Sequence, residues 1–215
     1  MPPLKQIRPL IIQRENQKLI QMRKIILNLA VTLDGYIEGP NGEIDWCIMD
    51  DDTNFNDFLD SIDSIFYGRI SYDLWGNYQP GEEEDELMKS ISENINSKKK
   101  YVFSHTKADD GTGAIFIHSD IEKKVTEIKN LPGKDIWLYG GAKLISTFLN
   151  AGLVDELQLA VHPVVLGSGK LLFNEITDRV WLTLKETKSA PSGVVQLIYS
   201  VKDKLAKTNT IDQVD

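Results

Sequence analysis

From Lys24 to Thr32 the chain reads KIILNLAVT. Ile25, Leu27, Leu29 and Val31 alternate along one face, while Ile26 and Ala30 add apolar positions to the other. That pattern predicts a strand buried on both sides. The period then changes. In FNDFLDSI, Phe55, Phe58, Leu59 and Ile62 recur at helical spacing, with Asp52 or Thr53 as candidate N-cap. SIFYG (64–68) is a short strand closed by glycine, and RISYDLWG (69–76) a short helix. GEEEDELMKSISENINS (81–97) carries Leu87, Met88, Ile91 and Ile95 on one stripe, with acidic residues where the helix dipole is positive.

The second half repeats the alternation. KYVFS (100–104) and AIFIHS (114–119) predict strands. Ser119-Asp-Ile-Glu122 matches a capping box, opening a helix with Ile121, Val125 and Ile128 inward. DIWLYGG (135–141) returns to strand, and AKLISTFLNAG is a helix bearing Leu144, Ile145, Phe148 and Leu149 that Gly152 is placed to end. VDELQLAVHPVVLG predicts a long strand stopped at Pro163 or soon after. RVWLTLKETKSAPSGVVQLIYSVKD predicts a hairpin about APSG. Strands alternating with helices, then an antiparallel pair, predict an α/β fold with a mixed sheet.

The ends read differently. Residues 1–21 are expected to be a flexible extension, with the domain running from Met22 to Asp203 and residues 204–215 a fraying tail. A helix packed on the domain is the other reading of the first segment. Its only apolar run, Leu10-Ile11-Ile12, is too short for a signal-peptide core.

Composition narrows the partners. The formal net charge is −8 over 215 residues, which argues against nucleic acid or an anionic membrane as main partner. The single cysteine, Cys47, excludes an intrachain disulfide and a multi-cysteine metal site, and fits a cytoplasmic setting. His105, His118 and His162 sit on different elements and form no ligand set, so no metal is expected.

The strand ends carry the candidate chemistry. WLYGGAKL (137–144) runs a strand through Gly140-Gly141 into a helix whose free N–H groups and dipole favour an anion, with Lys143 on the first turn. Two glycines also let a helix pack close to a sheet, so the pair alone leaves both readings open. FYGRISYDLW (66–75) repeats the strand–glycine–helix joint, with Arg69 and Ser71 beside it. VFSHTKAD (102–109) places Ser104, His105, Thr106 and Lys107 directly after a strand, and the loop through Asp34-Gly35 follows the first strand. Ligands of open α/β sheets lie beyond such carboxyl ends.

TLDGYIEGPNGEIDW, YGRISYDLW, VFSHTKAD and LYGGAKLISTFLNAGLVDELQLAVHPVVLGSGKLLF, in this order, resemble the dihydrofolate-reductase-like superfamily. The branch most similar is that of the riboflavin-biosynthesis reductase domain, and the likeness runs from about residue 22 to residue 202. The resemblance implies a three-layer αβα domain with a mixed, mainly parallel sheet and a C-terminal antiparallel hairpin. It also implies NADPH as hydride donor and a homodimer.

Carried residue by residue, the resemblance puts Ala30 and Thr32 beside the nicotinamide. Gly68, Arg69 and Ser71 meet the phosphates, and Ser104 and His105 the adenosine ribose with its 2′-phosphate. Gly140, Gly141, Ala142, Lys143 and Leu144 hold the diphosphate. HPVVLGSG (162–169), turning at Gly167, borders the substrate. Trp46, Phe55 and a carboxylate at Asp51 match the substrate side of dihydrofolate reductases, although Asp50, Asp51 and Asp52 are consecutive and a helix-cap role is the alternative. Asp34 is the second candidate acid; its alternative is a turn residue.

Two departures blur the substrate. Tyr36 stands where riboflavin-pathway reductases often carry a basic residue, and the chain lacks the H-x-E element and paired cysteines of a zinc deaminase. The expected function is NADPH-dependent hydride transfer to a small nitrogen heterocycle, either pterin/dihydrofolate-like or 5-amino-6-(5-phosphoribosylamino)uracil-like. The alternative is an NADPH-binding module without chemistry. An interaction protein whose glycines serve packing alone is the third reading.

Overall fold

A computed structural model describes residues 22–49, 55–81, 83 and 86–202. The expected N-terminal extension, the tail from residue 204 and the candidates Asp51, Asp52 and Thr53 lie outside the described residues.

Ten strands and five helices alternate along the described chain. They are β1 (Ile25–Thr32), β2 (Tyr36–Glu38), α1 (Phe55–Ser61), β3 (Ile62–Gly68), α2 (Arg69–Trp75) and α3 (Glu86–Asn96). Then come β4 (Lys99–Phe103), β5 (Ile115–Ile117), α4 (Ile121–Lys129), β6 (Asp135–Gly140) and α5 (Ala142–Ala151). The last are β7 (Glu156–His162), β8 (Lys170–Leu171), β9 (Leu182–Ser189) and β10 (Val195–Val201). The main sheet is ordered β5-β4-β3-β6-β1-β7-β10-β9. Every pairing from β5 to β7 is parallel, and β10 and β9 are antiparallel. The mixed, mainly parallel sheet with a terminal hairpin is therefore as expected.

Two apolar layers sandwich the sheet. On one face, Val125 and Ile128 of α4 and Leu144, Ile145, Phe148 and Leu149 of α5 pack on Ile25, Leu27, Phe66, Ile136 and Leu138. On the other, Phe58 and Leu59 of α1, Tyr72 of α2 and Ile91 of α3 pack on Ile26, Ile65, Tyr67, Val102 and Trp137. Gly152, at φ 70°, ends α5 in the left-handed conformation expected of a C-cap.

Three local expectations are corrected. The strand β1 is not buried on both sides throughout: Asn28 and Ala30, on the face of Ile26, are half-buried, because α1–α3 cover only the β6-β3-β4 side of that face. The capping box at Ser119 does not form. Asp120, at φ 53°, is the N-cap, makes no side-chain cap bond and takes a hydrogen bond from Ser119 Oγ at 3.1 Å. The left-handed turn at Asp120 starts the helix one residue later than the motif requires. Finally, segments read as loops contain a second, two-stranded sheet in which β2 pairs with β8. Strands of three and two residues are too short to show a period.

Candidate active site at a sheet switch point

β3 and β6 are parallel neighbours, yet their following helices leave to opposite faces: α2 packs in the α1–α3 layer and α5 in the α4–α5 layer. Such a divergence opens a crevice beyond the carboxyl ends of the two strands. Gly68 and the Gly140-Gly141 pair meet there. A Cβ on Gly68 would stand 3.3 Å from Gly140 O and Gly141 N, and one on Gly140, at φ 108°, would stand 2.9 Å from Ile145 Cδ1. The backbone conformation thus favours glycine at Gly140, and the close approach of the two strand ends leaves little room for a side chain at Gly68. Gly141 is different: the nearest atom to its added Cβ is Ser71 Oγ, at 3.1 Å. It is the N-cap of α5, makes no side-chain cap bond, and no acidic residue lies in the first turn. Ala142 and Leu144 turn their side chains into the core, and Lys143 is exposed. The backbone N–H groups of this turn and the Lys143 cation fit a diphosphate.

The next strand end is organised by Ser104. Its buried hydroxyl accepts hydrogen bonds from the backbone N–H of Thr106, at 3.2 Å, and of Lys107, at 2.8 Å. His118 Nδ1 meets Ser104 O at 2.7 Å, and His105 Nδ1 meets His118 O at 3.2 Å, which holds His105 at the surface. Arg69 is not left open to solvent alone: it pairs with Asp73 at 3.0 Å, and Asp73 pairs in turn with Lys107 at 2.6 Å.

On the opposite side of the crevice, Asp34 closes a junction between two loops. Its carboxylate accepts from Thr32 Oγ1 at 2.6 Å, Gly167 N at 2.8 Å and Leu166 N at 3.2 Å. The Thr32 hydroxyl, with the Gly167 and Leu166 N–H groups, holds its pKa below the usual aspartate range. A carboxylate engaged by three donors is a poor proton source. Thr32 Oγ1 also accepts from Tyr36 N at 2.9 Å, Leu33 N donates to Val164 O at 2.9 Å, and Leu172 N donates to Gly35 O at 2.9 Å. Tyr36 Oη reaches Gly167 O at 3.4 Å. The loop after β1 and the loop after β7 therefore behave as one body.

Register places Asn28, Ala30 and Thr32 of β1 directly beside Gln158, Ala160 and His162 of β7. The residues between Ile26 and Thr32 on this face are half-buried, making a shelf next to α1. Asn28 Nδ2 donates to Gln158 Oε1 at 3.0 Å, and Trp137 Nε1 donates to Asn28 O at 2.8 Å. Phe55 lies edge-on to Trp137 at 5.6 Å and Trp46 edge-on to His162 at 5.3 Å. His162 Nδ1 accepts from Ile48 N at 3.2 Å, and its Nε2 lies 3.9 Å from Cys47 Sγ, whose thiol pKa is pushed up by burial. Two buried donors, Trp46 Nε1 and Tyr67 Oη, have no hydrogen-bond partner among the described residues.

Of the residues named from sequence, Gly68, Ser71, Gly140 and Gly141 converge in one place. Ala30, Thr32, Trp46, Phe55 and Gly167 frame the shelf and its loops. Asn28 and Gln158 were missed: each sits in an apolar strand, and only the register across β1 and β7 brings them together. Among the described residues, no group of three or more His, Cys, Asp or Glu is placed to hold a metal ion, and no helix is long and apolar enough to cross a membrane.

Comparison with known proteins agrees with this architecture. The chain is 56% identical over 180 residues to the uncharacterized protein YyaP of Bacillus subtilis (strain 168), covering 84% of this chain and 96% of that one. Its fold is similar to that of a diaminohydroxyphosphoribosylaminopyrimidine deaminase/5-amino-6-(5-phosphoribosylamino)uracil reductase of Thermotoga maritima. There the TM-score is 0.62 and the identity 15%, over 84% of this chain and 57% of the other. It is also similar to a dihydrofolate reductase of Enterococcus faecalis complexed with NADP(H), with a TM-score of 0.57 and 16% identity over 85% and 97% of the two chains. Residues 23–196 match the RibD C-terminal domain, and with this fold the chain belongs to that family.

Proposed function

We propose that this protein is an NADPH-dependent reductase of a small nitrogen heterocycle. The observation that carries the reading is the divergence of α2 and α5 from neighbouring parallel strands, with the uncapped start of α5 at the mouth of the crevice. Family membership supports an oxidoreductase.

Bound NADPH supplies the hydride. The N–H groups of Ala142, Lys143 and Leu144, with Ser71 and Lys143, hold the diphosphate. Ser104 and His105, with Arg69, receive the adenosine ribose and its 2′-phosphate. Thr32 and Ala30 border the nicotinamide. The Asn28–Gln158 shelf and the rings of Trp46 and Phe55 receive a flat heterocycle, and Trp46 Nε1 donates to an acceptor on its edge. Orientation of the two reactants supplies most of the acceleration. Asp34 positions the loops on either side. Asp51 is the candidate proton source, and Tyr36 after Asp34-Gly35 supplies no cation for a phosphate on the substrate, so both the pterin-like and the phosphoribosylaminouracil-like heterocycle stand as substrates. The protein acts as a soluble homodimer in the cytoplasm, and the domain begins at Met22.

Thermal denaturation with each nucleotide tests this. Ligand at 100 times its dissociation constant adds about 2.7 kcal/mol to the folded state, a shift of several degrees. NADPH and NADH both without effect at millimolar concentration overturns the reading. A shift without NADPH oxidation across a panel of pterins and aminopyrimidines favours the non-catalytic nucleotide-binding module.

A further inference from the structure

Two cations project from adjacent strand ends, Arg69 after β3 and Lys107 after β4, and both are already engaged. Asp73 bridges them, one oxygen 3.0 Å from Arg69 Nη1 and the other 2.6 Å from Lys107 Nζ. Lys107 also pairs with Asp110 at 3.3 Å and lies over the ring of Tyr72, 5.1 Å from its centroid. The two carboxylates and the Tyr72 ring hold the Lys107 ammonium group in this cluster, and Ser104 fixes its backbone. Two cations and two carboxylates cancel, so the cluster carries no net charge.

A phosphate monoester brings between one and a half and two negative charges at neutral pH, by the usual second ionisation near 6. To bind Arg69 and Lys107 it must displace the Asp73 carboxylate or lie against it. An unphosphorylated ribose faces neither requirement. We infer that Asp73 is a specificity-determining residue of the dinucleotide site: it competes with the 2′-phosphate for Arg69 and Lys107 and so narrows the preference for NADPH over NADH. The inference rests on the reductase reading above.

The cluster is about one-third exposed, and its ion pairs are individually weak. Removing the Asp73 charge frees Arg69 and leaves Lys107 with Asp110 alone, which changes affinity by about five- to tenfold. Titration of the full chain and of Asp73→Asn with NADPH and NADH, each followed by dissociation constant, reads this directly. The variant is expected to bind NADPH about five- to tenfold more tightly and NADH within about twofold of the parent. Lys107→Met is expected to weaken NADPH and spare NADH. The melting temperature of each free variant, compared with the parent, checks folding. An unchanged NADPH-to-NADH ratio in Asp73→Asn overturns the inference while leaving the reductase reading intact. Weaker NADPH binding in that variant also overturns it, because Asp73 then only positions the cations. Failure of both nucleotides to bind the parent overturns the reductase reading and this inference together.

Discussion

Asp34 offers a carboxylate to three donors, and none of them is free to leave without opening a loop. Asp34→Asn keeps the size of the side chain but turns one acceptor into a donor facing N–H groups. The expected result is a loss of turnover with a larger effect on kcat than on nucleotide affinity, since the α5 end of the site is untouched. The pH dependence has a definite sign. Because the folded pKa lies below the usual value, the contribution of Asp34 to stability is complete above the unfolded value, about 3.9, and is lost as pH falls through the folded one. Acid melts of Asp34→Asn should lack that part of the decline. Gly140 makes a contrasting case. At φ 108° and with Ile145 Cδ1 2.9 Å from an added Cβ, Gly140→Ala should lower stability by about 1–3 kcal/mol. Calorimetric melting checks it, and an unchanged melting temperature would contradict a backbone that needs glycine at this position. The residue types were legible as candidates; their roles were not. Asp34 reads in sequence as either acid or turn residue, and only the approach of a loop more than a hundred residues away decides which.

Elements were the most legible scale, because burial imposes a period and glycine marks an end. The helix α5 shows both: its apolar stripe and its Gly152 stop are visible in the string AKLISTFLNAG. Gly152→Ala should cost about 1 kcal/mol by forcing a Cβ into the left-handed region, readable from denaturant midpoints. The lower edge of the sheet depends on a contact without any local signature. Buried Arg23, just before β1, bonds Asp63 and Ser64 on β3 and the carbonyl of Lys134 before β6. Its partner Asp63 is about one-third exposed, so Arg23→Ala should cost somewhat less than removal of one member of a fully buried pair, about 2–3 kcal/mol. Chemical denaturation tests this, and a change within a few tenths would show that water replaces the guanidinium. The β2/β8 pair was not legible for a related reason. Such short strands are stabilised by what they join, here with Lys170 Nζ 2.7 Å from both oxygens of Glu38.

At the scale of the molecule, the acidic balance and the local chemistry point in different directions. A net charge of −8 repels anions at long range, while the uncapped start of α5 attracts one at short range. Nucleotide affinity should therefore depend less on salt than for a basic nucleotide-binding protein, because the whole-molecule field opposes the local one. Measuring the dissociation constant between low and physiological ionic strength checks this, and a fall of several hundredfold would contradict it. Much of this arrangement was written in the chain order. Alternation of strands and helices favours parallel pairing with right-handed crossovers, and the terminal hairpin is local. Periodicity, glycine ends and net charge are properties of neighbouring residues, so the sequence by itself determined the α/β class, the number of major strands and the strand-end segments that carry chemistry. Sheet order and side-chain pairing depend on which strands meet, and that is settled by burial over the whole domain. Only the tertiary structure placed β6 between β3 and β1, sent α2 and α5 to opposite faces, joined Asn28 to Gln158, and set Asp73 between Arg69 and Lys107.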